Sequence, residues 1–180
     1  MTLMETVDKH LVRQWVGAGL VVLGLILVIL GAILGYIQWQ KSEQVIPSDI
    51  NKQVSFVIFW PYKAASAIPD KTTLKYDATN KLLSYLAYTS DKIKLTISEQ
   101  SSPEVFSDVP QAYDKFTSDL QQYSSFDSLS GKVYLTHPKE LKGGQTAVMN
   151  VKGTLVFVRP DKNLSDDTWR NLFNNLQVFP

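Results

Sequence analysis

The chain has 180 residues, with 18 Lys and Arg against 17 Asp and Glu, a formal charge of +1, and no cysteine. One ordinary domain plus an appendage fits that length; a second soluble domain does not. So small an excess of charge withholds the broad positive field that nucleic-acid binding requires, and the missing cysteines remove disulfides, thiolate metal sites and cysteine nucleophiles together.

The first feature in chain order is the uncharged run 16–37, VGAGLVVLGLILVILGAILGYI. At 1.5 Å per residue a helix of that length crosses the roughly 30 Å hydrocarbon layer. Trp15, Tyr36 and Trp39 bracket it, and amphipathic rings of this kind settle at the headgroup boundary. A cleaved signal peptide would have a shorter apolar core ending in a small-x-small site, whereas Tyr-Ile-Gln-Trp-Gln follows here, so an uncleaved anchor is expected. Lys9 and Arg13 precede the run and Lys41 follows it, which places the N-terminus in the cytoplasm and the C-terminal part outside by a margin of one charge.

Gly17, Gly24, Gly31 and Gly35 fall within about 40° of one another on this helix, and the last two form a G-x-x-x-G. Such a stripe lets two helix backbones approach closely, so it is a candidate surface for a homodimer or for a membrane partner. Glycine is also simply common in membrane helices. The expected organisation is a tail (1–15), the membrane helix (16–37), a polar juxtamembrane linker (38–53) interrupted by Pro47, and a folded ectodomain (54–180).

Within the ectodomain, 54–60 is dense in β-branched and aromatic residues and stops at Pro61, as a buried strand does. Strands are expected at 72–77, 82–89 and 93–99, with turn residues in the gaps, and in the last of them Leu95 and Ile97 alternate with Lys94, Thr96 and Ser98. Asp108 and Pro110 read as the start of an amphipathic helix, its core face made by Val109, Tyr113, Phe116, Leu120 and Tyr123. A strand at 132–136 follows, then a turn at Gly143-Gly144 and a hairpin of 145–151 with 154–158 turned at Lys152-Gly153. Ser165, with Asp166 and Asp167 behind it, caps a last helix that presents Trp169, Leu172, Phe173 and Leu176 to the core. This order predicts an α+β fold: an antiparallel sheet with about two helices packed on one face.

The landmarks Phe59-Trp60-Pro61, Ile68-Pro69, 95–100 (LTISEQ), Gly131-Lys132-Val133, 144–147 (GQTA) and 154–158 (TLVFV) occur in an order that resembles small bacterial membrane-anchored ectodomains classed as a domain of unknown function. The resemblance covers most of 54–178 and departs at Asp70-Lys71, where such proteins often carry a glycine. It implies a bacterial envelope location and an α+β fold, and no catalytic residue carries over.

Motifs for chemistry are sparse. His137 is the sole ectodomain histidine and sits in a Leu-Thr-His-Pro-Lys loop; there is no G-x-S-x-G, no phosphate-cradling glycine motif and no calcium loop, so neither a catalytic residue nor a cofactor is expected. Two surfaces are candidates for binding: the aromatic group Phe59, Trp60 and Tyr62, which core packing explains more directly than a ligand face does, and the basic stretch Lys132, His137, Lys139 and Lys142, which a solvated loop explains more directly than a site for anionic envelope polymers. The expectation is a membrane-anchored extracytoplasmic binding or sensing module. The alternatives are an accessory subunit held by the glycine stripe and an envelope hydrolase whose carboxylates converge only in the fold.

Overall fold

The computed structural model describes residues 46–62, 66–109, 111–137 and 144–179. The expected membrane helix, with its glycine stripe and its bracketing Trp15, Tyr36 and Trp39, lies outside the described residues, as do the tail and residues 38–45 of the linker. Among the described residues no helix is long and apolar enough to cross a membrane.

The rest of the linker holds a short helix, α1 (Ser48–Gln53), preceded by Pro47 and carrying Asp49 in its first turn, where a carboxylate meets the positive end of the helix dipole. After it come β1 (Phe59–Pro61), β2 (Ile68–Asp77), β3 (Leu82–Tyr88), β4 (Lys94–Ser101), α2 (Val105–Asp108), α3 (Ala112–Asp119), β5 (Gln122–Asp127) and β6 (Lys132–Thr136). The chain closes with β7 (Thr146–Val151), β8 (Thr154–Pro160), α4 (Asp166–Asn174) and β9 (Leu176–Val178).

Seven of the strands form one antiparallel sheet in the order β2-β3-β4-β8-β7-β6-β5. Its inner face is built by alternation: Leu83, Tyr85 and Ala87 on β3, Leu95, Ile97 and Glu99 on β4, and Val156 and Val158 on β8 are all buried. The register carries this face across the sheet, Leu83 opposite Glu99, Glu99 opposite Val156, Val156 opposite Met149 and Met149 opposite Val133. The connection from β7 to β8 is tight because Lys152 and Gly153 take positive φ of 51° and 74°, the backbone that a two-residue hairpin with the right twist needs.

The inner face is closed by α4 and by the pair of short strands β1 and β9. Ser165 caps α4, its hydroxyl accepting the Thr168 N–H at 3.3 Å, and Trp169, Leu172 and Phe173 are fully buried beneath it. β1 pairs antiparallel with β9, Phe59 opposite Val178, so residues from the start and the finish of the domain lie together across the core.

Several expectations require correction. Of the strand expected at 54–60 only Phe59 and Trp60 are in a strand, β1, which includes Pro61, and Leu176, expected on the last helix, belongs to β9. The helix expected from Asp108 through Tyr123 is two helices, α2 and α3: Asp108 ends the first instead of capping the second, and Val109 is exposed. Gln121, at φ 59°, turns the chain into β5, so Tyr123 is a strand residue. The helices also do not share one face. Phe116 of α3 meets Phe157 edge to face at 6.3 Å, while Phe173 of α4 meets Phe126, which is in register with Val133 of the inner face. Phe157 and Val156 are neighbours on β8 and point to opposite sides, so α3 covers the outer face and α4 the inner. An apolar stripe shows that a helix packs, but not which side of a sheet it meets.

Candidate functional site

Among the described residues the inner face carries one carboxyl, Glu99, which is 0% exposed. Its Oε2 accepts the backbone N–H of Phe59 at 2.8 Å, and its Oε1 lies 3.4 Å from the Tyr85 hydroxyl, which lies 2.9 Å from the Phe59 carbonyl. Burial pushes the Glu99 carboxyl from its ordinary 4.5 up to about 8, against the pull of the Phe59 N–H and the Tyr85 hydroxyl. The same burial, together with the nearby Glu99, raises the Tyr85 phenol well above its usual range.

A phenol has one proton and cannot donate to both neighbours. The shorter contact takes it: the Tyr85 hydroxyl donates to the Phe59 carbonyl at 2.9 Å, with Glu99 Oε1 beside it at 3.4 Å, and the Phe59 N–H donates to Glu99 Oε2. The cluster thus fastens β1 to the centre of the sheet and is closed to solvent. Two further bonds hold the same segment, from the Thr154 hydroxyl to the Val57 carbonyl at 2.7 Å and from the Phe179 N–H to the Ile58 carbonyl at 2.8 Å.

The outer face is different. Helix α3 reaches only as far as Phe157, and beyond it the sheet is open over β8, β4 and β3. Two depressions that share Thr96, of about 370 Å³ and 300 Å³, lie there. Ser84, Thr96 and Ser98 line them in register across β3 and β4, with Arg159 opposite Thr96 and Phe157 opposite Ser98. On the far side the ladder between β2 and β3 breaks between Asp70 and Lys75, and the Thr73 hydroxyl takes over by accepting the Leu86 N–H at 2.8 Å. That irregularity brings Thr72, Thr73 and Lys75 up as a wall.

The chemistry of this groove is uneven in a telling way. None of its lining residues carries a carboxylate. The Arg159 and Lys75 side chains are exposed and have no anionic partner among the described residues. The Thr146 hydroxyl is buried without a hydrogen-bond partner among the described residues, an arrangement that ordinarily costs about 1–3 kcal/mol.

The residues singled out in the sequence are dispersed. Phe59 and Trp60 are buried, Trp60 lying tilted by 30° against Tyr85 with centroids 4.5 Å apart, while Tyr62 is 62% exposed, so the three do not make one surface. Lys132 and His137 sit at opposite ends of β6, and Lys139 and Lys142 lie outside the described residues. His137 stacks on Tyr123 at 4.3 Å, and the Tyr123 hydroxyl accepts from Gln145 at 3.0 Å. Glu99, Thr146 and Arg159 were missed. For Glu99 a signal existed: it continues the two-residue phase of Leu95 and Ile97, which places a carboxyl on the buried face.

Comparisons with protein-family models, with curated proteins and with solved structures find no match.

Proposed function

We propose that the chain is a single-pass, membrane-anchored binding or sensing module of the bacterial cell envelope, its C-terminal domain held outside the membrane and its ligand taken up on the open outer face of the sheet. The observation that carries this reading is the groove itself: among the described residues, Lys75 and Arg159 without counter-ions and the Ser84, Thr96 and Ser98 hydroxyls without partners, on a domain whose other sheet face is packed. The uncharged run 16–37 supports the anchor, and the resemblance of the ectodomain landmarks supports the envelope location. The strongly shifted carboxyl, Glu99, is bonded to a backbone amide and a phenol inside the core; a facing pair of carboxylates would have favoured the hydrolase.

The test uses the full-length chain, isotope-labelled in phospholipid nanodiscs, titrated with a panel of oligosaccharides, peptides and polyphosphate. The expected result is saturable amide shifts at Ser84, Leu86, Thr96, Ser98 and Arg159. Shifts confined to other surfaces, or none with any probe, would sink the binding reading. Protease added to intact spheroplasts should cut the domain; protection would reverse the orientation.

A further inference from the structure

Resting on that reading, we infer that the groove recognises a carboxylate-bearing saccharide, with Arg159 pairing the carboxylate and the Ser84, Thr96 and Ser98 hydroxyls meeting the sugar hydroxyls. Arg159 supplies a planar fork of donors that matches a carboxylate, and Lys75 on the opposite wall adds a second positive charge. No lining residue is acidic, and Asp70, in register with Leu86 at the rim, already accepts the Thr72 N–H at 3.0 Å and the Thr72 hydroxyl at 2.6 Å. An anion therefore finds attraction from both walls without a competing carboxylate in the floor.

The hydroxyls narrow the class. Ser and Thr both donate and accept, as sugar hydroxyls do, and here they lie in register on neighbouring strands. Phe157 and Leu86 provide apolar surface for the C–H face of a pyranose ring. A peptide fits less well. Strands β3, β4 and β8 have neighbours on both sides, so their backbone groups are used in the ladder, and the groove lies on a sheet face where strand addition has no edge to extend. A nucleic acid or polyphosphate would want a denser array of cations than these two walls carry, on a chain of net charge +1.

The experiment is calorimetric titration of the full-length protein in nanodiscs with galacturonate, with a short oligogalacturonate and with the methyl ester of that oligomer. The oligomer should bind, its ester at least about tenfold more weakly, and monomeric galacturonate less tightly than the oligomer if the site spans both depressions. R159M should weaken the oligomer about tenfold or more and erase the preference over the ester, T96V should weaken oligomer and ester alike, and a rising salt concentration should weaken the acid form alone. Equal affinity for acid and ester, or binding indifferent to R159M, overturns the assignment. Peptide or polyphosphate shifting the same face while every saccharide fails overturns the ligand class and leaves the binding reading standing; a face that no probe shifts overturns both.

Discussion

Glu99 accepts the backbone N–H of Phe59 at 2.8 Å across 40 residues of sequence, so a carboxyl in the middle of the sheet fastens the segment that leads in from the N-terminal part of the chain. Truncating it orphans that N–H inside the core and leaves the Tyr85 hydroxyl with the Phe59 carbonyl alone. Glu99→Ala should therefore lower the unfolding free energy by about 2–4 kcal/mol, the sum of a buried unpaired donor and a cavity. Glu99→Gln keeps an acceptor for Phe59 and should cost under about 1 kcal/mol. Urea unfolding of the three proteins checks this; an alanine variant as stable as the parent would remove the fastening role.

The direction of the pH effect follows from the same group. The carboxyl is raised from 4.5 to about 8 in the folded protein, so between those values the folded state holds a proton that the unfolded state has released. Stability is full below about pH 4.5 as far as this group is concerned, falls as pH rises through the window, and levels above about 8, with a limiting slope of about 1 kcal/mol per pH unit. Among the described residues the only other titratable side chain bonded to it, Tyr85, stays protonated throughout, its phenol being raised. Thermal midpoints measured from pH 5 to 9 should decline for the parent and be flatter for Glu99→Gln. Parallel profiles would show that the carboxyl does not titrate in this window.

Local patterns made much of the sheet legible. Leu95 and Ile97 alternating with Thr96 and Ser98 gave the right inward face of β4, Lys152-Gly153 gave the β7–β8 turn, and Ser165 gave the α4 cap. What escaped depends on distant partners. The short strand Leu176–Val178 has no run of its own and exists because β1 lies beside it; Gln122–Asp127, QYSSFD, reads as a helix end until β6 is available to pair with it. The open groove was invisible for a related reason: it is defined by how far α3 extends over the sheet, which no periodicity records.

The glycine stripe of the expected membrane helix makes a prediction independent of the ectodomain. Lipid gives apolar helices no hydrophobic reason to associate, so contact depends on close backbone approach at small residues. If Gly17, Gly24, Gly31 and Gly35 form that contact, changing Gly24 and Gly31 to Leu should reduce self-association several-fold in a membrane reporter assay of the full segment. A signal unchanged by both substitutions would leave the stripe facing lipid.

Gln145 joins β5, α4 and the segment that enters α4 through one amide. Its Oε1 accepts the Leu164 N–H at 2.8 Å and the Trp169 indole N–H at 3.3 Å, and its Nε2 donates to the Tyr123 hydroxyl at 3.0 Å. Trp169 is fully buried, so its indole N–H has no water to turn to when the acceptor is lost. Gln145→Ala should cost about 1–3 kcal/mol and, because two of the three bonds hold the entrance and first turn of α4, should loosen that helix in preference to the sheet. Hydrogen exchange resolves the two cases: the Trp169 indole and the amides of Asp166–Asn174 should exchange faster, with β3 and β4 amides slowed or quickened only as far as global stability dictates. Uniform acceleration across helix and sheet would show that the amide contributes to the fold as a whole and does not anchor α4.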